Sequence, residues 1–243
     1  MEKLINYPRR RVVRNILKNL IRLAFLTISD FVVQGKENLP KSGPLMVIGN
    51  HFNFLDPVAV IGSMPYPLEF VGGTQMPNAP VGLAWVTQLY GLLPVHRGTI
   101  SREMLFASKK ILDQEGVLAI FPEAGSWAQV LRPARPGAAY LASCTKAAIL
   151  PLGLDGFTEV FPSLRAGKRA CVTVNIGKPL EPMFVSDRGE SDRGKLAEIG
   201  DVLMRSIAEL IPPEKRGHYS ADAAVRLAAQ STDIYPWRTI QEK

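Results

Sequence analysis

Two stretches of the chain carry residue types suited to acid–base chemistry. The first is Asn50-His51-Phe52-Asn53-Phe54-Leu55-Asp56-Pro57, which follows the apolar run 45–49. A histidine at the end of a strand can serve as a general base, because imidazole titrates near neutrality. It also needs a group that fixes its tautomer and stabilises the imidazolium, and a carboxylate does this. Asp56 stands five residues after His51, within reach across one short turn. The same residues admit plainer readings. His51 alone fits a structural residue at a strand end, and Asp56-Pro57 fits a helix start with Asp as N-cap and Pro in the first turn. A metal site is not expected, since the chain has three histidines and no third ligand is suggested nearby.

The second stretch is Phe121-Pro122-Glu123-Ala124-Gly125-Ser126, just beyond the apolar run 117–121. Small residues there leave backbone N–H groups open to a developing oxyanion. Glu123 can bind a hydroxyl or orient a cation; a plain turn is the alternative. Three further segments join the list. Gly91-Leu92-Leu93-Pro94-Val95-His96-Arg97 places Arg97 after an apolar run, where a guanidinium suits a phosphate. Arg132-Pro133-Ala134-Arg135-Pro136 holds two arginines in a stiff loop, and Ile149-Leu150-Pro151-Leu152-Gly153 reads as an inner strand with a proline.

Taken in order, these segments resemble the glycerophospholipid acyltransferase family (PlsC-like, including the lysophosphatidic acid acyltransferases). That family carries an N-H-x4-D block, a G-x-x-P-V-x-R-type block, F-P-E-G-T-R and a proline-bearing strand. The chain matches with Asn50-His51 to Asp56, Gly91 to Arg97, Phe121 to Ser126 and Leu150-Pro151-Leu152-Gly153, over roughly residues 30–180. The resemblance implies an acyl donor that is an acyl-CoA or acyl carrier protein thioester, and an acceptor hydroxyl on a lysophospholipid. It implies His51 as base, Asp56 as its orienting acid, and no cofactor beyond the thioester co-substrate. Arg97, Glu123, Gly125, Ser126 and Arg135 are the substrate-binding candidates. Two departures stand out. Asn53 replaces a frequent serine, and Ala124-Gly125-Ser126 replaces Gly-Thr-Arg, so the arginine associated with the acceptor phosphate is missing. Arg97, Arg132 or Arg135 are its possible substitutes. Two other classes stay open: a hydrolase using Ser126 with His51, which lacks the G-x-S-x-G elbow, and a non-catalytic lipid-binding protein of the same fold.

The elements that must position these residues alternate. Apolar runs at 31–34, 45–49, 68–71, 92–95, 117–121, 149–153 and 171–176 read as strands, and 57–64, 81–90, 102–115, 137–146 and 193–210 as helices. This pattern predicts a single α/β domain with a mainly parallel central sheet flanked by helices. Pro212 and Pro213 end the last long helix, and Ser220 reads as the N-cap of one more.

Charge divides the chain into an N-terminal segment, 1–29, and an acyltransferase domain, 30–243. The net charge is +7, and the first segment holds Lys3, Arg9, Arg10, Arg11, Arg14, Lys18 and Arg22 against Glu2 alone, so the remainder is nearly neutral. A nucleic-acid binder would spread such charge over its folded face, so nucleic acid is not the expected partner. Residues 8–28 read as a basic amphipathic helix, with Pro8 in its first turn and Val13, Ile16, Leu17, Leu20, Leu23 and Ala24 at helical spacing. Such a helix lies in an anionic membrane surface rather than crossing it; packing on the core is the alternative. No apolar run approaches the about 20 residues that span a bilayer, and no secretory leader is evident. The expected place is the cytoplasmic face of a membrane, peripheral or monotopic. Cys144 and Cys171, without CxxC spacing, read as reduced and buried.

Overall fold

The computed structural model describes residues 7–73, 88–95 and 102–232. Seven strands form one sheet: β1 (Ser29–Gln34), β2 (Leu45–Gly49), β3 (Leu68–Gly73), β4 (Leu93–Val95), β5 (Val117–Ile120), β6 (Ala148–Asp155) and β7 (Ala170–Ile176). Their order is β1-β7-β6-β2-β5-β3-β4. All neighbours pair in parallel except β6 and β7, so β1 and β7 run against the other five. The expected α/β architecture is thus the observed one. The central strands β2 and β5 are buried at every position, as a sheet covered on both faces requires.

The covering helices that lie wholly within the described residues are α1 (Arg11–Ile28), α2 (Asp56–Ser63), α3 (Arg102–Asp113), α4 (Pro136–Cys144), α5 (Val160–Arg165), α6 (Arg193–Ala208) and α7 (Ala223–Gln230). Two apolar clusters lie on opposite faces of the sheet. One joins α1 and α2 to β3, β6 and β7 through Leu17, Phe25, Val60, Phe70 and Val172. The other joins α3, α4 and α6 to β2 and β5 through Ile48, Ile111, Leu118, Leu141 and Leu203.

Several local expectations are corrected. Helix α1 starts at Arg11, not Pro8, and follows Arg10 in the left-handed region at φ 51°. Its basic residues do not form one outward face. Arg14 is 2% exposed and pairs with the fully buried Glu69, whose carboxylate also binds Arg9. Arg10 reaches the carbonyls of Gln88 and Leu89. Leu17 and Phe25 enter the core, and Phe25 stacks on Phe31 and meets Phe157 edge-on. At Gly62 of α2, an added Cβ would stand 3.0 Å from the Ile21 side chain, so the two helices approach closely there. The outward side of α1 carries Val12, Ile16, Leu20, Leu23 and Leu26, all exposed. Helix α1 therefore shares a core with the rest of the described residues and shows a second apolar face that is exposed. The N-cap of α7 is Asp222, which accepts the Ala224 N–H; Ser220 instead accepts the N–H of Asp222. Cys144 is buried and Cys171 exposed, both as free thiols. The larger part of the helix expected over 81–90 lies outside the described residues.

Candidate active site

Strand β2 ends at Gly49, but its pairing to β6 continues for one more residue through a side chain. Asn50 is fully buried; its Nδ2 donates to the Leu154 carbonyl at 2.8 Å and its Oδ1 accepts the Leu154 N–H at 2.7 Å. This carboxamide imitates a strand partner and fixes the exit direction of the chain. His51 follows, its ring stacked on Phe121 at 4.3 Å between centroids and 15° between planes.

The Asp56 carboxylate closes the turn. Its Oδ2 lies 3.2 Å from His51 Nδ1 and accepts the N–H of Phe52 at 2.6 Å and of Asn53 at 2.7 Å. The N-cap of α2 is Leu55, without a side-chain cap. Asp56 thus faces back over the loop rather than forward along the helix, so it is not the N-cap, while Pro57 does stand in the first turn. A carboxylate on Nδ1 favours the tautomer with its proton there, which leaves Nε2 as the basic nitrogen. Asn53 has a local task, as its Oδ1 accepts the Leu55 N–H at 2.9 Å.

Glu123 approaches from the end of β5. Its Oε1 accepts the His51 N–H at 2.9 Å, and its Oε2 accepts the Arg132 N–H and meets Arg132 Nε, both at 3.2 Å. Burial pushes its carboxyl up to about 7, against the pull of Arg132 and the two backbone donors. Both oxygens therefore serve the protein, and Glu123 positions His51. Arg132 is 2% exposed, its guanidinium donating to the Gly125 carbonyl and lying 3.5 Å over the Trp127 ring. That ring explains Gly125, because an added Cβ would come within 2.4 Å of it. Ala124 takes the left-handed conformation at φ 60°.

Of the remaining candidates, Gly125 is buried and Ser126 half-buried. No helix or strand lies between Ile120 and Pro136, so Ser126 is not on the strand–turn–helix elbow of a serine hydrolase. Arg135 is half-buried at the N-cap of α4, its N–H bound to the Pro122 carbonyl at 2.8 Å. Arg97 lies outside the described residues. Among the described residues, no group of three histidine, cysteine or acidic side chains stands together as a metal site.

Asn50, Phe121 and Lys215 are the residues that motif reading gave no role. Lys215 forms an ion pair with Asp155 at the end of β6, beside a cleft that Asn53, Asp56, Gln129 and Thr158 also line. The only advance signal was Asn50, a polar residue closing an apolar run.

The fold agrees with the comparisons. A crystal structure of the 1-acyl-sn-glycerophosphate (LPA) acyltransferase PlsC from Thermotoga maritima matches with a TM-score of 0.59, 22% identity, and coverage of 85% of this chain and 84% of that one. At that identity the likeness speaks for the fold. No curated protein matches the sequence. The family model described as Acyltransferase matches residues 30–155, more than half of the chain and the stretch that holds His51, Asp56 and Glu123. The chain belongs to the acyltransferase family.

Proposed function

We propose that the protein transfers a fatty acyl group from an acyl-CoA or acyl carrier protein thioester to the hydroxyl of a lysophospholipid, in phospholipid synthesis. The observation that carries this reading is the Asp56 carboxylate turned back onto His51 Nδ1 and two backbone N–H groups. His51 Nε2 takes the acceptor hydroxyl proton as the oxygen attacks the thioester carbonyl. Backbone N–H groups around Gly125 hold the oxyanion, the Ala124 N–H being already given to the Phe121 carbonyl. The C–S bond then breaks, and the thiolate leaves with the proton that His51 returns. A thiol that ionises at about pH 8.5 needs little assistance to leave. The transfer is direct and uses no serine or cysteine nucleophile.

The acceptor is an amphiphile, and we place the enzyme as a peripheral protein on the cytoplasmic face of a membrane with anionic lipids. The uncovered row Val12, Ile16, Leu20, Leu23 and Leu26 supports this, with Arg11 and Arg22 exposed on the same helix. Among the described residues no helix is long and apolar enough to cross a membrane.

The test is an assay with radiolabelled acyl-CoA and acyl carrier protein against a panel of lysophospholipids. Wild type should form labelled diacyl product, and folded His51→Ala should lose nearly all of it. Wild type without transfer to any lysolipid, or His51→Ala with substantial turnover, overturns the reading.

A further inference from the structure

The contact between His51 Nδ1 and Asp56 Oδ2, at 3.2 Å, holds one edge of the imidazole. One such bond fixes a single ring atom. It leaves the plane of the ring to a torsion that is intrinsically broad, because χ2 of histidine has no sharp staggered wells. The side chain is 15% exposed, so part of the ring stays open to a substrate.

The plane is set by a neighbour. Phe121, the first residue after β5, lies nearly parallel to the imidazole, 4.3 Å away between centroids and 15° between planes. A ring at that distance covers one face of the imidazole and blocks tilting toward it. Phe121 is itself braced. Phe70 of β3, 2% exposed, meets it at 5.5 Å and 36°. A Cβ built on Gly49, at the end of β2, would touch Phe121 Cε1 at 3.6 Å. The Phe121 carbonyl accepts the Ala124 N–H at 3.0 Å. Three neighbouring strands, β2, β5 and β3, thus hold the ring that holds the histidine. The end of β5 supplies both supports, Phe121 on the imidazole face and Glu123 on the His51 N–H.

The face that Phe121 offers has a second property. It is the negative side of a quadrupole and attracts a cation. In acyl transfer His51 becomes an imidazolium when it takes the hydroxyl proton, and turns neutral again when it gives that proton to the thiolate. The stack therefore strengthens while the charge exists. An interaction of this kind favours the transition state over the bound substrates.

We propose that Phe121 is a positioning residue for His51, whose ring keeps the imidazole plane, and with it the direction of Nε2, fixed through the transfer. The kinetic consequence rests on the acyl-transfer reading; the effect on ring motion does not. The test uses full-length protein with 13C-labelled histidine. The chain has three histidines, and the His51 signals are those lost in His51→Ala. Carbon relaxation should show an ordered His51 ring in wild type and in Phe121→Tyr, and a ring mobile on the nanosecond timescale in Phe121→Leu.

In the radiolabelled transfer assay, Phe121→Leu should lower kcat about ten- to hundredfold, with the KM of donor and acceptor within about twofold of wild type. Phe121→Tyr should restore most of the rate. Should Phe121→Leu not fold, Phe121→Met is measured in the same way. An ordered His51 ring in the aliphatic variant, an unchanged kcat, or a Phe121→Tyr protein no better than the aliphatic one would overturn the proposal. A protein whose His51 ring loosens as described but that transfers nothing would support the proposal and refute the transfer reading alone.

Discussion

Arg14, one turn into α1, grips Glu69 of β3 with two nitrogens, Nη1 to Oε1 at 2.5 Å and Nη2 to Oε2 at 2.8 Å. Both side chains are buried, and Arg9 adds a second guanidinium to the same carboxylate. Burial alone would raise the Glu69 pKa, but hydrogen bonds from Arg14 and Arg9 hold it below the usual carboxylate value. Glu69→Gln would leave a buried guanidinium without its counter-charge and should cost on the order of 3–5 kcal/mol in denaturant unfolding. The stability from this carboxylate is present above its ordinary pKa and is lost as pH falls below it. Removing residues 1–28 takes Arg14, Leu17 and Phe25 together, so that truncation should unfold the domain rather than release it from a membrane.

The membrane reading therefore needs substitutions on the outward side of α1. Leu20 is 56% and Leu23 59% exposed, so Leu20→Glu with Leu23→Glu should leave the melting temperature nearly unchanged. The same protein should fail to co-sediment with anionic vesicles at low salt, where wild type does. Co-sedimentation like that of wild type would remove α1 as the contact.

Asp56→Asn separates chemistry from folding. The amide oxygen can still accept the N–H groups of Phe52 and Asn53, so stability should fall by only about 1–2 kcal/mol. It cannot stabilise an imidazolium, and turnover should drop by about a thousandfold or more. Thermal melting and single-turnover rates measured on the same preparation check the contrast.

Glu123 predicts a pH dependence of the opposite sign to Glu69. Its carboxyl rises from 4.5 to about 7 in the folded protein, chiefly through burial. Between those values the folded state binds a proton that the unfolded chain has released. This contribution is fully present below about pH 4.5 and is lost as pH rises through 7, by on the order of 3 kcal/mol. Unfolding measured at pH 5 and pH 8 should show a smaller fall for Glu123→Gln than for wild type.

Ala124 holds φ at 60° without a glycine's freedom. Ala124→Gly should stabilise the protein by about 1 kcal/mol, read as a small rise in melting temperature.

Particular residues show what could be read in advance. The strands were legible because β2 and β5, buried on both faces, are unbroken apolar runs. His51 and Asp56 were legible as a pair because five residues span one turn, and the four blocks in order pointed to the family. The inward side of α1 was not legible. The helix has apolar residues on two sides, and only distant partners, Glu69 and the carbonyls of Tyr90 and Gly91, show that Arg14 faces in. Glu123 has both oxygens filled by the His51 and Arg132 backbones, and only tertiary placement reveals such an internal role. The same holds for Lys215, whose partner Asp155 lies 60 residues before it.

The turn after β2 has a consequence in time. Three successive amide hydrogens, those of His51, Phe52 and Asn53, each point into a buried carboxylate, Glu123 for the first and Asp56 for the other two. Loops that bind substrates usually belong to the part of a protein that opens most easily. Here deuterium exchange at 51–53 should be as slow as in the neighbouring strands, since freeing any of these hydrogens leaves a buried carboxyl oxygen without its donor. Such exchange would mean that the turn keeps its shape on the timescale of turnover.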